Sequence, residues 1–91
     1  MNRYLIERTI PGAGRLGNDD LRAIAQKSVE VLGSMGPRLQ WVRSYVTDDA
    51  IVCEYLAEDE DTLREHGRCG GFPVDGVRPV RTIIDPLTAE G

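Results

Sequence analysis

Histidine occurs once in this chain, tryptophan and phenylalanine once each, cysteine twice, and all but one of the eleven basic residues are arginine. A single histidine excludes any metal site built from several imidazoles of one chain. Two cysteines, Cys53 and Cys69, allow at most one disulfide. Met1 to Glu7 is not an export signal, because its apolar run, Tyr4-Leu5-Ile6, ends in a charge. Reduced thiols and a cytoplasmic location are therefore expected. No apolar stretch approaches the roughly 18–20 residues that span a bilayer, so no membrane partner is expected. The net charge of −4 argues against nucleic acid, which calls for a basic patch. No Ser/His/Asp or Cys/His/Asn pattern for nucleophilic catalysis can be read, and there are no repeats or linkers.

What remains is an ordinary globular composition, 41% hydrophobic and 29% charged, in 91 residues. That length is one domain, residues 1–91. A chain this short buries only about two-thirds of its unfolded surface, so its core is thin and association is a common remedy.

Arg3 to Thr9 reads as a strand ended by Ile10-Pro11-Gly12. After the loop Gly12-Ala13-Gly14-Arg15-Leu16-Gly17, Asn18 is placed as a helix N-cap with Asp19 and Asp20 in the first turn. Leu21, Ile24, Ala25, Ser28, Leu32 and Met35 form one apolar stripe at helical spacing, and Gly33, Gly36 and Pro37 end the helix. Leu39 to Thr47 and Ile51 to Ala57 are strands joined by a hairpin at Asp48-Asp49-Ala50. Asp59 caps a second helix from about Glu60 to Cys69, stopped by Gly70-Gly71, with Phe72-Pro73 plugging the end of the core. Val77 to Ile84 reads as the last strand, and Leu87 to Gly91 as an untethered end.

The order β-α-β-β-α-β predicts an α+β ferredoxin-like fold: a four-stranded antiparallel or mixed sheet, order 4-1-3-2, with two helices on one face. Regular pairing in the hairpin sets Tyr45 opposite Val52, Arg43 opposite Glu54 and Trp41 opposite Leu56. The bare face then carries Leu5, Glu7, Trp41, Arg43, Tyr45, Val52, Glu54, Leu56, Arg81 and Ile83. That set is too apolar to leave wet, so a homodimer through Trp41, Arg43, Tyr45, Glu54 and Arg81 is expected.

Each chemical motif has a plain reading beside it. Gly12 to Gly17 matches G-x-G-x-x-G, yet a dinucleotide fold needs several parallel β-α-β units and no carboxylates at the helix start, so a flexible connecting loop is expected. His66 on the inward side of its helix reads as a packed core residue, but His66 and Cys69 at i and i+3 offer the ligand types that late first-row metals favour. Closing such a site would need Glu65, the Glu58–Asp61 run, Cys53 or a second chain. Cys53 itself reads as a small core filler. Glu7, Arg43, Glu54 and Arg81 read as interface charges, or else as groups for a proton, a metal or an anion.

Five strings bear a resemblance: Tyr4-Leu5-Ile6-Glu7-Arg8, Gln40 to Asp49 (QWVRSYVTDD), Cys53-Glu54-Tyr55 with Ala57, Arg64-Glu65-His66 and Gly71-Phe72-Pro73. They resemble a family of small bacterial proteins, catalogued as a domain of unknown function, whose best-described member is a nickel-binding protein. The resemblance runs from Arg3 to about Pro86. It implies a dimeric ferredoxin-like α+β protein and nickel as a ligand, with Glu7, Cys53, Tyr55, Glu65 and His66 as the matched positions able to ligate or neighbour a metal. The glycine-rich loop is longer than that family's pattern. Cys69 stands where a basic or small residue is usual, so the His66/Cys69 pair is not the family's.

The leading expectation is a small non-enzymatic dimer binding a divalent transition metal, nickel by resemblance, with His66, Cys53, Glu7, Glu65 and Cys69 as candidate ligands. The alternatives are a dimeric α+β barrel enzyme of monooxygenase or isomerase type, with a small molecule in the cavity between sheet and helices, and a ligand-free dimerisation module.

Overall fold

Alternation shapes the first strand. In β1, Asn2–Thr9, the residues Tyr4, Ile6 and Arg8 are buried while Glu7 and Thr9 are exposed, the two-residue period of a sheet covered on one side. The computed structural model describes every residue from Met1 to Gly91. After β1 come helix α1 (Asn18–Met35), strands β2 (Leu39–Val46) and β3 (Ala50–Ala57), helix α2 (Glu60–Gly70) and strand β4 (Gly76–Pro79). The sheet order is β2-β3-β1-β4, antiparallel at every pairing. This is the ferredoxin-like α+β arrangement, with no parallel pair in the sheet.

The core lies between this sheet and the helices. Ile51, Cys53, Tyr55 and Ala57 of β3 alternate strictly inward and meet Tyr4, Ile6, Leu39 and Leu63. Helix α1 contacts α2 and β2, and α2 contacts β3. Helix α1 begins one residue earlier than its sequence suggests: Gly17 is the N-cap, and the Asp20 carboxylate accepts from its N–H at 3.1 Å. Helix α2 starts at Asp59, whose carboxylate accepts from Thr62 N and Oγ1 at 2.8 and 2.7 Å. These hydrogen bonds hold the Asp59 carboxyl below its usual range, and they satisfy a free amide of the first turn. The helix closes at Gly71, in the left-handed region at φ 70, where only glycine is unstrained.

Three expectations need correction. The hairpin keeps Tyr45 opposite Val52 and Arg43 opposite Glu54, but a bulge between Trp41 and Arg43 sets Trp41 opposite Tyr55 instead of Leu56. A bulge adds one residue to one strand and so reverses the face of everything beyond it. Trp41 therefore joins Tyr55 on the helix side and leaves the bare face. The last strand is also shorter than Val77 to Ile84. Tyr4 pairs with Pro79 and Val80 donates to the Arg3 carbonyl at 2.9 Å, beyond which β1 has almost no backbone left to offer. Arg81 and Ile83 thus lie off the sheet, and Arg81 to Gly91 are all exposed.

The glycine-rich loop is a built connection instead of a flexible one. Ala13–Arg15 form a 3-10 turn, Gly12 N donates to Asp49 Oδ1 at 2.9 Å, and Gly14 N donates to the Asp48 carbonyl at 2.9 Å. A Cβ on Gly14 would stand 2.9 Å from Asp48 Cα. The loop clasps the β2–β3 turn, and its amides point to protein oxygens.

Candidate functional site

Between α1 and the inner face of the sheet lies a cavity of about 180 Å³. Leu21, Ile24 and Ala25 of α1 form one wall, and Val46, Ile51 and Trp41 contribute to the other. Trp41 reaches it because of the bulge, and its indole Nε1 donates to Ser44 Oγ at 2.9 Å. The polar groups of the lining are Arg8, Ser28, Ser44, Cys53 and Tyr55.

Arg8 is 3% exposed. Its Nη1 donates to the Pro73 carbonyl at 2.6 Å, and its guanidinium carbon sits 5.4 Å from the Phe72 ring centroid, within cation–π range. Helix α2 leaves room for this because residue 67 is glycine. A Cβ there would meet Val74 Cγ2 at 2.7 Å and the Phe72 carbonyl at 3.3 Å, so the Phe72–Val74 segment could not lie as close.

His66 is fully buried between two rings, with centroids 5.4 Å away at Tyr55 and 5.7 Å away at Phe72. Burial and the Arg8 charge push its imidazole down to about 4, against a hydrogen bond with the Ser28 backbone, so it is neutral at pH 7. Its Nε2 lies 3.5 Å from Ser28 Oγ, and its Nδ1 has no partner. A serine beside a histidine invites comparison with a catalytic pair, but no carboxylate orients this ring, and a group with so low a pKa is a weak base. Burial also raises the Tyr55 phenol, Cys53 adding to the effect and Arg8 and Ser28 opposing it.

The five candidate metal ligands are dispersed in the folded chain. His66 and Cys53 are buried on the helix side of the sheet, with Cys53 paired in register to Ile6. Glu7 is exposed on strand β1 and faces the opposite side. Glu65 binds Arg38 at 2.7 Å, and this contact raises the guanidinium pKa. Cys69 is exposed while Cys53 is buried, and both are free thiols. No three His, Cys, Asp or Glu side chains come close enough to hold an ion, so one chain alone does not fit a nickel centre. Arg8 is the residue of the cavity that sequence reasoning missed. Its signal lies in the alternation of β1, which sends Arg8 to the same side as Tyr4 and Ile6.

A ferredoxin-like α+β protein with a cavity between sheet and helices is the class that this geometry defines. The family model described as "Nickel responsive protein SCO4226-like" matches residues 4–80, and the chain belongs to that family. Among solved structures, that of SCO4226 from Streptomyces coelicolor A3(2) aligns with a TM-score of 0.76, covering 90% of this chain and 99% of that one at 12% identity. At that identity the likeness is one of fold. No curated protein sequence matches the chain significantly. No helix is long and apolar enough to cross a membrane.

Proposed function

We propose that the protein is a non-enzymatic homodimer that binds a divalent transition metal, nickel by family, with donors drawn from two chains. The observation that carries the reading is the match to a nickel-responsive family, and Glu7 is the candidate donor exposed on the uncovered face. A late first-row ion requires several N, O or S ligands at once, and no three converge in one chain. A second copy is the economical way to complete the set.

The uncovered face of the sheet supports pairing. Tyr45 is 52% exposed there, beside the half-buried Leu5, Val52 and Leu56 and the exposed Glu7. Glu54 on the same face bridges Arg3 and Arg43, which orders the charges at the centre of the patch. Trp41 and Arg81 have no part in it. Such a face, apolar with a few ordered charges, is what a partner surface looks like.

Calorimetric titration with Ni²⁺, run beside sedimentation, tests the reading. The expected result is one ion or fewer per chain, bound by a dimer, with affinity at least tenfold lower in Glu7→Gln. Absence of heat, or equal binding by a monomer, overturns it. A second reading, binding of a small molecule in the cavity, is favoured by the enclosed charge of Arg8.

A further inference from the structure

Arg8 takes part in none of the chain's ion pairs. Its Nη2 is buried without a hydrogen-bond partner. The Pro73 carbonyl, the Phe72 ring and the neighbouring Tyr55 hydroxyl solvate the guanidinium in part, but none of them carries a counter-charge. An arginine cannot shed its proton to escape burial, and a buried unpaired charge is strongly unfavourable. The cavity that Arg8 lines contains no Asp or Glu among its walls. Its volume of about 180 Å³ equals roughly six waters at about 30 Å³ each, and most of the lining is apolar.

We propose that this cavity binds a small apolar monocarboxylate, with the carboxylate on Arg8 and the hydrocarbon part between α1 and the sheet. The planar guanidinium suits a carboxylate. The Ser28 and Tyr55 side chains line the same cavity and offer further donors, since a phenol is protonated at neutral pH and burial raises this one further. His66 is neutral beside them, so the site holds a single positive charge and disfavours dianions. The apolar wall of Leu21, Ile24 and Ala25 gives a fully polar acid nothing to bury. Ligand affinity then comes from one charge-assisted contact and the release of water from apolar walls.

The site is built within one chain and is independent of the metal reading, so it is tested in the presence of a chelator. Benzoate and hexanoate, each beside its neutral amide, are titrated into the protein, following the fluorescence of Trp41 in the cavity wall and the heat of binding. The acids are expected to bind at least tenfold more tightly than the amides and to quench Trp41. Inorganic phosphate is expected not to compete. In Arg8→Met, where an apolar side chain of similar length replaces the buried charge, acid and amide are expected to bind alike. Should that variant not fold, the acid-against-amide comparison in the natural protein decides alone. Equal affinity for acid and amide, no binding of either acid at millimolar concentration, competition by phosphate, or an undiminished preference in folded Arg8→Met overturns the proposal.

Discussion

Trp41 stands directly opposite Tyr55 across strands β2 and β3, while Arg43, two residues on, stands opposite Glu54. Val42 is the additional residue between the two pairs. The bulge thereby sends the indole toward α1 and the guanidinium toward the open face. Without it, the cavity would lose one wall and the open face would gain a second large aromatic.

Deleting Val42 is expected to restore regular pairing while leaving Trp41 opposite Tyr55 and Arg43 opposite Glu54, because the residue removed is the unpaired one. Emission from this single tryptophan should therefore keep its maximum. Fluorescence spectra check the outcome, and a shifted maximum counts against the bulge.

Two helical glycines should respond oppositely to alanine. Gly67→Ala puts a Cβ 2.7 Å from Val74 Cγ2, so the Phe72–Val74 segment must yield, at about 1–3 kcal/mol. A Cβ on Gly33 would meet nothing within 4 Å, and Gly33→Ala should stabilise α1 by about 0.5–1 kcal/mol. Thermal unfolding of the two variants measures the contrast.

His66 makes stability depend on pH. Its pKa is about 4 in the fold against 6.5 in the open chain, so between these values the unfolded chain holds more protons. The contribution is fully present above 6.5 and is lost as pH falls toward 4. At about 1.36 kcal/mol per pH unit the loss amounts to roughly 3 kcal/mol at most. His66→Leu should be flatter over the same window in urea titrations at about pH 7 and pH 4.5, which bracket that loss. A variant as pH-dependent as the natural protein would assign the effect elsewhere.

The open face and the tail should separate in an association assay. Tyr45→Lys places a charge in the exposed apolar patch, and is expected to weaken self-association at least tenfold while unfolding like the natural chain. Removing residues 81–91, all exposed, should change monomer stability by less than about 0.5 kcal/mol. Sedimentation at several concentrations, with melting curves beside it, distinguishes the two.

Element order, the two helices and the cap at Asp59 were legible because they are local. Each rests on a few residues of spacing and on which side chains can satisfy the first amides of a helix. The hairpin near its turn, Tyr45 with Val52 and Arg43 with Glu54, was legible for the same reason. The bulge was not, since Val42 carries no mark that separates an extra residue from a paired one; it shows only in how β2 and β3 pair. The end of β4 depends on where β1 begins in space, which is a long-range fact.

The sequence by itself therefore determined the ferredoxin-like α+β plan, the strand order of the sheet, and the burial of His66, because all follow from periodicity and connection length. Tertiary structure decided that Trp41 faces inward, that Arg81 leaves the sheet, and that the candidate metal donors stand apart. It also decided that Arg8 is enclosed beside a cavity with no carboxylate. Those outcomes depend on which distant segments meet, and the energy of a charge is set by everything that surrounds it once they do.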